Sequence, residues 1–269
     1  MSRVIAIANQ KGGVGKTTTA INLGASLAVG EQRTLIVDMD PQANATSGLG
    51  ASREGPTIYD VLVRNSNVRD CLQTNITLPF LDLVPSTRDL VGAEIELVDA
   101  GSRELILRRA LEPLRDEYDF ILLDSPPSLG LLTLNTLTAA DSVMIPIQCE
   151  FYALEGLSQL LNTVRLVQRA LNRSLEIEGV LLTMYDRRLN LSKQVAAEAR
   201  EYFGESVYET LIPRNVRLAE APSFGKPILQ YDVLSTGAQS YLSLAREIIA
   251  RRDGTMSASA TPKAEVTGA

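Results

Sequence analysis

Residues 4–18 read Val4-Ile-Ala-Ile-Ala-Asn-Gln-Lys-Gly-Gly-Val-Gly-Lys-Thr-Thr18. The apolar run Val4–Ala8 is too short for a helix and too continuous for a half-exposed strand, so it reads as a strand buried on both faces. A glycine-rich turn follows, and Lys16-Thr17 then opens a stretch, Thr17–Val29, whose apolar residues recur every three to four positions as on a helix. Strand, glycine loop and helix in this order bring backbone N–H groups together at a helix N-terminus, where they can hold a phosphate. Gly12, Gly13 and Gly15 let the backbone come close and take up unusual dihedrals. Val14 completes the loop. Lys16 is expected to reach the β- and γ-phosphates of a nucleotide, and the Thr17 hydroxyl to coordinate Mg²⁺. Glycine would usually stand five residues before Gly15, but this chain has Gln10 there, and a second lysine, Lys11, enters the loop. A loop lysine near the γ-phosphate can offset the charge that develops during phosphoryl transfer, on its own nucleotide or on one held by a second copy.

The same alternation continues outward from the loop. Short apolar runs at Thr34–Val37, Leu81–Val84, Phe120–Leu123, Ser142–Ile147, Gly179–Met184 and Val207–Ile212 read as further buried strands. Helical spacing marks Arg103–Glu117, Leu154–Leu171, Leu191–Phe203 and Ser235–Arg251. The expected fold class is α/β, a doubly wound and mostly parallel sheet with helices on both faces, as in a P-loop NTPase. Residues 1–252 read as a single ATPase domain. Residues 253–269, rich in Ala, Ser, Thr and Gly, read as a disordered tail.

In open α/β sheets, ligands lie beyond the carboxyl ends of the strands. Acidic residues stand at two such ends. Asp124 follows Phe120–Leu123 and suits a carboxylate that holds Mg²⁺ through water. Asp38 and Asp40 follow Thr34–Val37. Either suits the positioning of an attacking water, and strand alternation does not separate them. The chain contains no histidine, so any acid–base work falls to carboxylates, lysine or bound water.

Composition limits the setting. The 269 residues carry a formal net charge of −6, with a pI of about 4.9. Such a balance argues against a protein basic over its whole surface, as dedicated nucleic-acid binders commonly are. Two cysteines far apart, Cys71 and Cys149, predict no disulfide framework and a reducing, cytoplasmic location. No secretory leader is read at the start, and no apolar run approaches the ~20 residues that span a bilayer.

With these residues in view, the sequence resembles the ParA/Soj chromosome-partition ATPases, within the wider ParA/MinD group, over residues 3–250. The segments that carry the resemblance are Lys11-Gly-Gly-Val-Gly-Lys-Thr-Thr18, Asp38-Met-Asp-Pro-Gln42, Asn44-Ala-Thr-Ser-Gly-Leu-Gly50, Asp124-Ser-Pro-Pro-Ser128, Glu150-Phe-Tyr-Ala-Leu-Glu-Gly156 and Ile212-Pro-Arg-Asn-Val-Arg217. The resemblance implies an ATP-bridged homodimer in which Lys11 crosses to the partner's phosphates and Asp40 serves hydrolysis. It implies an adenine pocket at Pro213 and Asn215, with Met184 and Arg214 nearby. It also implies nonspecific binding of double-stranded DNA by the ATP dimer, hydrolysis stimulated by a ParB-type protein, and association with the nucleoid. Arg188 and Arg217 match DNA-binding positions of Soj-type proteins, and Arg187 adjoins them. A local basic patch of this kind is compatible with an acidic protein.

Three other readings share the loop. A membrane ATPase of the MinD type needs a C-terminal amphipathic helix, which the polar residues after Arg252 do not supply. A nitrogenase-type iron protein needs paired cysteines for a cluster; Cys149 follows a strand, but no cysteine stands directly after Asp124, and Cys71 sits in an unrelated polar stretch. A ParA-like ATPase that positions a cargo other than DNA is the remaining alternative.

Overall fold

A computed structural model describes residues 2–150 and 157–254. All of the segment Glu150–Gly156 but its first residue, and most of the C-terminal tail, therefore lie outside the described residues. So does Met1.

The strands are β1 (Arg3–Ile7), β2 (Thr34–Asp38), β3 (Leu81–Val84), β4 (Phe120–Asp124), β5 (Ser142–Gln148) and β6 (Glu176–Thr183). Their order in the sheet is β3-β2-β4-β1-β5-β6, and every pairing is parallel. The expected parallel, doubly wound sheet is what forms. Around it lie α1 (Lys16–Val29), α2 (Asn44–Gly48), α3 (Ile58–Arg64), α4 (Leu90–Glu96), α5 (Ile106–Leu111), α6 (Leu131–Ala139), α7 (Leu157–Ala170), α8 (Asn190–Phe203), α9 (Val216–Glu220), α10 (Ile228–Tyr231) and α11 (Thr236–Arg252).

Alternate residues of each strand feed opposite layers, as the two-residue period requires. Ile5, Ile7, Ile36, Phe120, Leu122, Met144 and Leu181 pack against α1 and α11. Val4, Ala6, Leu35, Val37, Ile121, Leu123, Val143 and Leu182 pack against the helices of the other face, α3 to α8. No strand has a wet face, and for this reason the strands read as unbroken apolar runs.

Two expectations about the chain's path need correction. Val207–Ile212 is not a strand. It meets β6 and the residues just after it at scattered points, through the bridges Val180 with Val207 and Tyr185 with Pro213 and the bond from the Ile212 amide to the Leu182 carbonyl (2.9 Å). The reason lies on α11: the buried carboxylate of Glu247 accepts from the amides of Glu209 (2.9 Å) and Thr210 (3.0 Å), so the ladder is interrupted between those bridges. Nor is Arg103–Glu117 one helix. Only Ile106–Leu111 is α-helical, between 3₁₀ turns at Arg103–Leu105 and Glu112–Leu114. Pro113, in the second turn, has no N–H for an α-helical bond.

Candidate functional site

The sheet order reverses about β1, whose neighbours are β4 and β5. A crevice opens beyond the strand ends at such a point. The glycine loop fills it. Gly13 (φ 76°) and Gly15 (φ 91°) both have left-handed backbone, which a side chain would strain. Gly15 is the N-cap of α1 and has no side chain to satisfy the helix's first amides, which are left for a ligand.

Two side chains that sequence reasoning missed hold the loop in place. Asn9 donates from Nδ2 to the Pro146 carbonyl on β5 (2.7 Å) and accepts the Lys11 amide at Oδ1 (3.0 Å). Thr183, at the end of β6, donates to the Val14 carbonyl (2.8 Å) and also lies 3.2 Å from the Ile147 carbonyl. Val14 is buried, so this side of the loop is clamped to β5 and β6, while Gly12 and Gly13 are exposed.

Lys16 is 6% exposed. Its ammonium donates to the Lys11 carbonyl (3.3 Å), folding the side chain back along the loop. Burial lowers its pKa, and the charges of Asp124 and Asp40 act in the opposite sense. Lys11 is half-buried, and its ammonium makes no ion pair among the described residues. Thr17 and Thr18 are half-buried at the start of α1, and the Thr17 hydroxyl stands beside Asp124.

Asp38 and Asp124 end adjacent strands in direct register. Both are fully buried, yet their surroundings differ. Asp38 is saturated: Oδ1 accepts the Asp40 amide (3.2 Å), and Oδ2 accepts the amide (2.8 Å) and hydroxyl (2.7 Å) of Thr46. Burial pushes its pKa up to about 6, against the pull of the Thr46 hydrogen bonds. Neither oxygen of Asp124 completes a hydrogen bond with good geometry, although the nearby Thr17 hydroxyl pulls its pKa down somewhat. Burial, and then the Asp38 charge, hold the Asp124 pKa well above the usual carboxylate range. A buried carboxylate with unmet acceptors, beside a threonine hydroxyl and a lysine, is a donor set that fits a hard divalent cation.

Asp40 differs again. Its Oδ1 accepts the Gln42 amide (2.9 Å), and Oδ2 makes no hydrogen bond among the described residues. Its carbonyl accepts from Ser86 Oγ (2.9 Å) and from the Ala43 amide (2.8 Å). Ser86 is tied in turn to Thr46 Oγ1 (2.9 Å). The pair that strand alternation left undecided is thus divided by its partners. Asp38 braces the turn, and Asp40 presents an oriented carboxylate with one open oxygen.

Residues 2–177 match the family model described as an AAA domain. The sporulation initiation inhibitor protein Soj of Bacillus subtilis is 60% identical over 252 residues, 93% of this chain and 99% of that protein. The chain belongs to the Soj/ParA family of P-loop ATPases. The chromosome partitioning protein ParA of Myxococcus xanthus is 58% identical over 253 residues, 93% of this chain and 89% of its own length. Among solved structures, cobyrinic acid a,c-diamide synthase from Mycobacterium smegmatis with bound ADP and magnesium superposes with a TM-score of 0.81 at 35% identity, covering 95% of this chain and 97% of that one.

The other positions singled out for Soj/ParA chemistry gather at the end of β6. Met184 leaves the strand with left-handed backbone (φ 51°). Tyr185 donates its amide to the Ile212 carbonyl (3.0 Å) and accepts the Arg214 amide (3.1 Å), which sets Pro213, Arg214 and Asn215 alongside Met184. Asn215 caps α9, accepting the Arg217 amide (2.8 Å), and donates to Thr236 Oγ1 (2.8 Å).

The arginines share this edge, but carboxylates accompany them, which the sequence reading did not foresee. Arg188 is 83% exposed and forms a two-point pair with Asp186 (3.0 and 2.7 Å). That guanidinium draws the Asp186 pKa down to about 2. Arg217 pairs with Glu220 (2.9 Å) and Asp232 (3.5 Å), and Arg214 with Glu150 (3.3 Å). Arg187 is exposed and has no ion pair among the described residues.

Proposed function

We propose that this protein is an ATP-driven DNA-partition ATPase, one ATP-binding domain over residues 1–252, that works as a nucleotide-bridged homodimer on the nucleoid. ATP is the substrate, and hydrolysis to ADP and phosphate ends the DNA-bound state. The observation that carries the reading is the Asp124 carboxylate, buried without a hydrogen bond beside Thr17 and Lys16.

Gly12, Gly13, Val14 and Gly15 cradle the phosphates with backbone N–H groups, and Lys16 bears on the β- and γ-oxygens. Thr17 and, through water, Asp124 would hold Mg²⁺, which offsets charge on the phosphate oxygens. Thr18 completes the loop's contacts. Asp40 uses its open Oδ2 to orient the attacking water, with its backbone fixed by Ser86 and Ala43. Lys11, whose ammonium has no carboxylate partner among the described residues, supplies positive charge to the partner's transferring phosphate. Met184, Pro213, Arg214 and Asn215 border the base.

Arg187, Arg188 and Arg217 contact DNA phosphates without reading sequence, and the dimer doubles their number. The acidic partners exchange for phosphate, since exposed ion pairs are worth only ~0–1 kcal/mol. Among the described residues, no helix is long and apolar enough to cross a membrane. The identity to relatives named as chromosome-partitioning proteins supports a cytoplasmic partition role. A ParB-type protein stimulates turnover.

Asp40→Ala with ATP tests this reading by size exclusion and DNA retardation. The expected variant dimerises, retains DNA and hydrolyses ATP poorly. A variant that stays monomeric with ATP would contradict the bridged dimer.

A further inference from the structure

Helix α4 leaves an apolar face in solvent. Val91 is 58% exposed, Ile95 75% and Val98 55%. Spacings of four and three place them on one side of the helix, and the Val98 amide continues the helical turn by donating to the Ile95 carbonyl (3.2 Å). Leu90, Ala93 and Leu97 face inward and are buried, so the outer face is not needed for the core. Exposed carboxylates border it: Glu94, Glu96 and Asp99. From Arg88 to Glu104 the chain carries five carboxylates and two arginines. An apolar strip whose rim is mainly acidic, with exposed Arg88 at one end, is a common mark of an interaction surface.

The rim identifies the occupant. DNA and anionic lipid would meet like charge. A second copy packed face to face would set these carboxylates against their own equivalents, since a two-fold contact uses the same patch twice. A basic segment carrying apolar residues at helical or alternate spacing satisfies both features.

The position of α4 gives such docking a consequence. The helix starts four residues after Ser86, whose hydroxyl donates to the Asp40 carbonyl (2.9 Å), and the Leu90 amide joins the two by donating to the Thr87 carbonyl (3.1 Å). Displacing α4 therefore pulls on the segment that positions Asp40.

We infer that the Val91–Ile95–Val98 face is the docking site for a basic, apolar-containing segment of a partner protein, and that its occupancy is felt at Asp40. Only the effect on hydrolysis rests on the partner-stimulated function proposed above; docking itself does not.

The test uses the full chain with Val91→Ser plus Ile95→Ser, and separately Glu94→Gln plus Asp99→Asn. All four positions are exposed and outside the nucleotide machinery, so basal ATPase is expected to stay at the wild-type rate. The first probe is a fluorescent lysine–leucine peptide, followed by anisotropy. The serine pair is expected to weaken binding about tenfold, a loss of ~1.4 kcal/mol. The amide pair is expected to weaken it several-fold at low salt and less at high salt. The second probe is the ParB-type protein, followed by stimulated hydrolysis, which the serine pair is expected to abolish. Equal peptide affinity in wild type and both variants overturns the docking site. So does self-association of the wild type that the serine pair removes, because a second copy would then be the occupant. If the ParB-type protein fails to stimulate the wild type while the peptide still separates the variants, the docking site stands and the partner assignment falls.

Discussion

Asp124→Asn separates what this residue does for the fold from what it does for the ligand. The wild-type carboxylate is 0% exposed, and neither oxygen finishes a hydrogen bond. An unsatisfied buried polar group costs ~1–3 kcal/mol, and a buried charge without compensation costs more. Lys16 offsets part of this, and Asp38 in the adjacent strand adds to it. Asparagine has nearly the same shape, carries no charge, and places N–H donors beside the Asp38 carboxylate. The ligand-free variant should therefore be more stable than wild type by ~1–3 kcal/mol. For a chain of this size each kcal/mol moves Tm by roughly 2–4 °C, so the melt should rise by roughly 2–12 °C. Scanning calorimetry with and without ATP and Mg²⁺ reads both consequences. Saturating ligand at ~100 times Kd should add ~2.7 kcal/mol to wild type. The variant should lose most of the increment that depends on Mg²⁺. A variant that melts below ligand-free wild type, yet keeps the full Mg²⁺-dependent increment, refutes the reasoning.

Other consequences follow from single contacts. Thr183→Val removes the hydroxyl that clamps the Val14 carbonyl, so KM for ATP should rise several-fold in steady-state assays, with a stability loss of ~1–3 kcal/mol in urea melts. Burial pushes the Cys71 and Cys149 thiols up to about 11, which keeps them protonated and unreactive at pH 8; alkylation of the native protein should be slow, should quicken as pH rises toward that value, and should be fast at both positions once urea unfolds the chain. Arg188→Glu with Arg217→Glu should abolish ATP-dependent DNA retention at moderate salt while leaving ATPase activity without DNA near wild type, as gel retardation and phosphate release would show. Single substitutions, each removing one contact per protomer of the dimer, should lower the salt dependence of DNA binding by about two units of slope each.

The glycine loop and the strand ends were legible because their signals are local. Consecutive glycines followed by Lys16-Thr17 need no distant partner to be read, and a buried parallel strand writes itself as a short apolar run. What escaped the sequence depends on residues far along the chain. Asp38 and Asp40 share a strand direction, and only Thr46, Ser86 and Gln42 assign one to bracing and leave the other open. The run Val207–Ile212 has strand composition, but Glu247, nearly forty residues later, takes two of its amides. Asn9 and Thr183 look unremarkable in sequence, since their partners on β5 and in the loop come together only when the sheet forms. The arginines were visible as cations. Their pairing with Asp186, Glu220 and Asp232 was not, and it offsets part of their charge at this edge.

Lys11 is a cation in the glycine loop with no carboxylate partner among the described residues. Light scattering coupled to size exclusion, on wild type and Lys11→Ala, with and without ATP and Mg²⁺, addresses it directly. Wild type should double its mass with ATP. Lys11→Ala should still bind ATP, because Lys16, Thr17 and the glycines remain, but should elute at monomer mass. A Lys11→Ala protein that doubles its mass as readily as wild type would contradict a nucleotide-bridged dimer held by this residue.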